Sequence, residues 1–131
     1  MTDDPALQIR VGLVDDDLSV RRALGRLLRT HGYACISYES AEAALSDPDF
    51  LRTNCVILDV QLGGMNGFAL GQRLHALGLS MPQIFITAHL KSDFPQHSQE
   101  AAVLMKPFDE QQLIALLQDA TGSPSSKSEQ L

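Results

Sequence analysis

Asp15, Asp16, Asp59, Thr87 and Lys106 are the residues of this chain whose types and positions could do chemistry together. Each stands at the end of a short apolar run: Val11, Leu13 and Val14 before the acidic pair, Val56 to Leu58 before Asp59, Ile84 to Ile86 before Thr87, and Val103 to Met105 before Lys106. Runs of that length read as buried β-strands. In an open α/β sheet, ligands bind in the crevice outside the carboxyl ends of the strands. Parallel strands would therefore bring three carboxylates, a hydroxyl and an ammonium to one edge of a sheet.

Carboxylates crowded into a partly desolvated pocket repel one another, and their pKa values rise unless a cation neutralises them. A hard divalent ion meets that need. Mg²⁺ takes one or two carboxylates, waters and a phosphate oxygen, which suits an open acidic cleft better than the many-oxygen cage of calcium. Lysine offers a phosphoryl group a point charge and threonine a rotatable donor. Singly, these residues have plainer readings: Asp15 to Asp17 as a solvated turn that caps a helix, Thr87 as a turn residue, Lys106 as a solvated charge. Their recurrence at successive strand ends implies a phosphate site.

The elements that must position these residues alternate along the chain. Strand runs interleaved with helical patterns from Ile9 to Ala120 predict βαβ units and a parallel sheet covered by helices on both faces. The spacing predicts strands at Ile9–Val14, Tyr33–Ser37, Asn54–Asp59, Pro82–Thr87 and Ala102–Met105. Val20, Leu24, Leu27 and Leu28 predict a helix from Leu18 to Thr30, stopped at His31-Gly32, with Asp17 at its start. Ser40 is an N-cap for a short helix through Leu45 that Pro48 ends. A glycine-rich turn from Gln61 to Gly67 leads into a helix from Phe68 to Leu77, and Leu113, Ile114, Leu116 and Leu117 mark the last one. The stretch from Ala88 to Ala101 holds Pro95 and no clear apolar stripe, so a helix there is expected to be short or irregular.

At 131 residues, 44% hydrophobic and 20% charged, the sequence has the length and balance of one globular domain. Its net charge of −6 and the lack of an aromatic-interleaved basic stripe argue against nucleic-acid binding by this chain alone and against anionic membranes. Arg21, Arg22, Arg26 and Arg29 read as a solvated helix face, with a protein docking surface as the alternative. Cys35 and Cys55 have no CxxC pairing and no His at metal-ligand spacing, and read as two buried thiols in a reducing compartment. No signal peptide or spanning run is present, so a soluble, cytoplasmic protein is expected.

In this order, Val14-Asp-Asp-Asp17 with Val20-Arg21, Ile57-Leu-Asp59 with Gly67, Ile86-Thr-Ala88 and Lys106-Pro-Phe108 resemble the receiver domain of two-component response regulators, across residues 8–121. The resemblance implies a flavodoxin-like, doubly wound five-stranded sheet of order 2-1-3-4-5, with residues 1–7 as an extension and 122–131 as a polar tail or the start of a linker. It implies that Asp59 is the phosphoacceptor, that Asp15, Asp16, Asp59 and the Gln61 carbonyl hold Mg²⁺, and that Thr87 and Lys106 contact the phosphoryl group. A sensor histidine kinase or phosphotransfer protein is the implied donor, with an unidentified downstream protein and a possible homodimer as further partners. By the same analogy Ala88 leaves access to the phosphoryl group, His89 and Gln61 flank the path of water, and Lys106-Pro107 is a candidate cis bond.

The chain also departs from the family. Gly63 stands where proline is usual, Val103 where an aromatic switch residue is usual, and the stretch between Thr87 and Lys106 is short. Three functions stay open: a phosphorylation-dependent receiver, which is not an enzyme beyond its own phosphoryl chemistry; a pseudo-receiver that binds a partner regardless of phosphorylation; and a Mg²⁺-dependent phosphatase, for which short connections leave no room for a cap domain.

Overall fold

The computed structural model describes residues 8–88 and 101–122. Five strands, β1 (Arg10–Val14), β2 (Ala34–Tyr38), β3 (Cys55–Asp59), β4 (Gln83–Thr87) and β5 (Ala101–Met105), form one parallel sheet in the order β2-β1-β3-β4-β5. Four helices accompany it among the described residues: α1 (Leu18–Thr30), α2 (Ala41–Leu45), α3 (Gly67–Ala76) and α4 (Glu110–Thr121). This is the expected doubly wound fold. The irregular helix expected between β4 and β5 lies outside the described residues, as do the N-terminal extension and all but the first residue of the tail.

Both faces of the sheet are covered, which is why its central strands β1, β3 and β4 read as continuous apolar runs rather than alternating ones. Val11, Leu13, Cys55, Ile57, Ile84, Ile86 and Leu104 face one core, with Leu24, Leu27 and Leu28 of α1 and Leu113, Ile114 and Leu117 of α4. Val14, Val56, Leu58 and Phe85 face the other, with Ala41 and Ala44 of α2 and Leu70 and Leu74 of α3. The sheet is thereby held rigidly between two cores, and its carboxyl ends are left free for chemistry.

Differences from the sequence expectation have local causes. β2 runs one residue later than expected because the Tyr33 N–H is taken by the Leu28 carbonyl, 3.0 Å away, in closing the end of α1 after Gly32, whose φ is +89°. α3 begins at Gly67 rather than Phe68, with Asn66 as its N-cap. A 3-10 turn at Phe50–Arg52 was not expected; it seats the Phe50 ring beneath β1, where a Cβ on Gly12 would stand 2.8 Å from it. α4 starts at Glu110 behind a capping box of Asp109 and Gln112, ahead of the apolar positions that marked it.

Arg22, Arg26 and Arg29 are exposed on α1, as a solvated face requires, and Arg21 is half-buried. Both cysteines are free; Cys55 is buried as expected, whereas Cys35, on the edge strand β2, is only half-buried. Burial pushes the Cys55 thiol up to about 12 and raises that of Cys35, so neither is a ready nucleophile. No helix among the described residues is long and apolar enough to cross a membrane.

Candidate functional site at the carboxyl edge of the sheet

Strand register delivers the acidic residues to one place. Val14 of β1 pairs with Leu58 of β3, so Asp15 and Asp59 emerge side by side. Asp59 pairs with Ile86 of β4, and Thr87 pairs with Met105 of β5, which places Thr87 and Lys106 on the adjoining strand ends. The Lys106 N–H donates to the Thr87 carbonyl at 2.7 Å, fixing the chain as it leaves β5. Asp15, Asp59 and Thr87 are buried, Asp16 is exposed, and Lys106 is intermediate.

Asp15 Oδ1 accepts the Asp17 N–H at 2.9 Å, and Asp59 Oδ1 accepts the Gln61 N–H at 3.0 Å. The other oxygens face one another's neighbourhood: Lys106 Nζ lies 3.7 Å from Asp15 Oδ2 and 3.8 Å from Asp59 Oδ2. Asp15 Oδ2 is buried without a hydrogen-bond partner. Burial foremost, with the Asp59 carboxylate adding to it, lifts the Asp15 carboxyl to about 6, against the opposing pull of the Asp17 N–H and the Lys106 ammonium. This is the crowding expected from the sequence.

One carboxylate oxygen from each of Asp15, Asp16 and Asp59 can be chosen such that all lie within 4.8 Å of one another. An all-oxygen set, open on the Asp16 side and containing one buried oxygen left without a donor, fits a hard divalent cation. Gln61 is exposed beside this cluster. Ala88 is exposed and, with Val20, Leu24, Lys106 and Phe108, borders an apolar groove of about 550 Å³ beside the site. The Lys106–Pro107 bond is cis. His89 lies outside the described residues.

Two residues of the matching stretches support the site in ways that the sequence did not reveal. Gly67 packs so closely against the end of β3 that a Cβ there would overlap the Asp59 carbonyl oxygen. Arg21, grouped above with the solvated arginines, instead turns back from α1 and donates from Nη1 to the Asp15 carbonyl at 2.7 Å. Its place one turn inside a helix capped by Asp17 was the available signal.

Comparison with known proteins matches residues 11–118 to the response regulator receiver domain. The chain belongs to this family. Nodulation protein W of Bradyrhizobium diazoefficiens is 37% identical to the receiver over 118 residues, covering 85% of this chain and 50% of the relative. Transcriptional regulatory protein FixJ of Azorhizobium caulinodans is 33% identical over 125 residues, 92% of this chain and 58% of that protein. The receiver thus spans about half the length of these relatives. The solved response regulator StyR superposes with a TM-score of 0.74 at 34% identity, over 86% of this chain and 59% of StyR. A CheY-like receiver from Methanospirillum hungatei, at 23% identity and a TM-score of 0.79 over 88% of this chain and 94% of its own, shares the fold. In this receiver the position usual for an aromatic switch is Val103, 39% exposed on the edge strand β5.

Proposed function

We propose that this receiver takes a phosphoryl group onto Asp59 from a phosphohistidine of a partner kinase or phosphotransfer protein, and signals through the resulting conformational change. The observation that carries the reading is the position of the Lys106 ammonium, 3.7 and 3.8 Å from two buried carboxylates at neighbouring strand ends. A structural ion pair needs one carboxylate; a second beside it, with Asp15 Oδ2 left without a hydrogen bond, supports a site that takes a cation and, with it, a phosphoryl group.

A carboxylate oxygen of Asp59 attacks phosphorus, the phosphorus–nitrogen bond of the phosphohistidine breaks, and the departing imidazole takes up a proton. Gln61 N–H holds one Asp59 oxygen and so orients the carboxylate. Lys106 faces the negative charge that gathers on the phosphoryl oxygens, and Thr87 offers its hydroxyl from the adjoining strand end. Asp15, Asp16, Asp59 and the Gln61 carbonyl would hold Mg²⁺, which when bound neutralises the acidic cluster and the incoming phosphoryl group. Ala88, with only a methyl beside the site, leaves the approach open, and water later hydrolyses the acyl phosphate.

The test is intact mass after incubation with a small acyl-phosphate donor. One phosphoryl increment, lost with chelator and lost in Asp59→Asn, is expected. Equal labelling of the wild type and Asp59→Asn overturns the reading and favours a pseudo-receiver or a phosphatase. Cytoplasmic placement, a downstream protein partner and homodimerisation belong to the same proposal.

A further inference from the structure

Asp16 is the weakly held member of the acidic cluster. Asp15 is buried, its N–H donates to the Tyr38 carbonyl at 3.1 Å, and its Oδ1 accepts the Asp17 N–H. Asp17 is fixed as the N-cap of α1 by the Ser19 N–H at 2.9 Å. Between them the Asp16 carboxylate is exposed, and among the described residues no hydrogen bond holds it. The backbone of Asp16 is set by the two peptides that flank it, of which the Asp16–Asp17 peptide is tied within the turn by the Asp17 N–H to Asp15 Oδ1.

The Asp15–Asp16 peptide has one side-chain restraint from beyond the turn, the 2.7 Å bond from Arg21 Nη1 to the Asp15 carbonyl. A hydrogen bond from a charged donor is short and about twice as strong as a neutral one. Its own origin is fixed too, because the Arg21 N–H donates to the Asp17 carbonyl at 3.0 Å in the first turn of α1. The arginine therefore clamps the metal-binding turn to the helix that follows it.

We infer that Arg21 is a positioning residue for the divalent cation, setting the Asp15–Asp16 peptide so that the Asp16 carboxylate meets the ion beside Asp15 and Asp59. The inference rests on the proposed function. Charge alone would act in the opposite sense, since a guanidinium near three carboxylates repels a cation. Removing Arg21 therefore weakens Mg²⁺ binding if position dominates and strengthens it if charge dominates. The bond is directed at a carbonyl and the guanidinium is partly solvated, so position wins.

The experiment is calorimetric titration of Mg²⁺ into the full chain, with thermal melting of the metal-free protein as the check on folding. Arg21→Gln, which removes the charge and shortens the reach, should weaken Mg²⁺ binding about three- to tenfold. Arg21→Lys should bind between Arg21→Gln and wild type, because an N–H donor on a long stem is retained. Arg22→Gln, which removes an exposed charge from the same turn, should bind as wild type does.

Unchanged or tighter Mg²⁺ binding in Arg21→Gln, equal weakening in Arg22→Gln, or no recovery in Arg21→Lys overturns the inference while leaving the proposed function intact. A wild-type chain that takes up neither Mg²⁺ nor phosphoryl overturns both.

Discussion

Lys106 Nζ lies 3.7 Å from Asp15 Oδ2, a buried oxygen that no hydrogen bond satisfies, and the same ammonium lies 3.8 Å from Asp59. It therefore has two effects of opposite sign. It competes with a divalent ion for the carboxylates, and it offsets the charge of an incoming phosphoryl group. Lys106→Met should bind Mg²⁺ severalfold more tightly while accepting phosphoryl at least about tenfold more slowly. Calorimetry and time-resolved intact mass check the two arms.

The Asp15 carboxyl, with an ordinary value of 3.8, is raised to about 6, chiefly by burial. Between those values the folded chain keeps a proton that the unfolded chain has lost. The stability contributed by this group is full below 3.8 and lost as pH rises through about 6 in metal-free protein. A metal must displace the same proton, so Mg²⁺ affinity should climb through about pH 6 and level off above it. Asp15→Asn should flatten the metal-free melting profile over that window, which thermal denaturation across the range would show.

Gly67→Ala places a methyl against the Asp59 carbonyl oxygen and 2.9 Å from Val60 Cα, both backbone atoms that cannot swing aside. A cost of about 1–3 kcal/mol in urea unfolding is expected, as for other overpacked sites. Because the strain falls on the peptide of Asp59, the proposed phosphoacceptor, phosphoryl uptake should slow even at temperatures where the variant is fully folded. Uptake at the wild-type rate in folded Gly67→Ala would show that the end of β3 gives way without moving the carboxylate.

Thr87→Ala should still be phosphorylated on Asp59, since neither the attacking carboxylate nor the ammonium is altered. The buried hydroxyl sits at the end of β4, beside Met105 of β5, and can relay phosphorylation only by moving toward the phosphoryl group. Amide exchange in β4 and β5 should therefore respond to phosphorylation in the wild type and much less in Thr87→Ala. An equal response in both places the relay elsewhere, with the turn at Gly63 and Gly64 the next segment to measure.

The strand ends that carry the site were legible because each central strand is buried on both faces. Such a strand appears as an unbroken apolar run, and the first polar residue after it marks the carboxyl edge, as Asp15 does after Val14; Asp59 and Thr87 close the buried runs of β3 and β4 in the same way. Helix starts at Asp17 and Ser40 were legible because capping is a local bond between a side chain and an N–H two or three residues on. Strand β2 was placed one residue early because its boundary depends on which partner takes the Tyr33 N–H, and the helix end wins it from the sheet. Only the tertiary structure decided that one ammonium spans two carboxylates, that Asp15 Oδ2 is left without a donor, that Gly67 has no room for a methyl, and that Arg21 of the four arginines on α1 turns back to the acidic turn. Sequence specifies which groups reach the edge of the sheet. Distances of a few ångströms between groups tens of residues apart are set by strand register and by the packing of both cores, and charge and burial act through those distances.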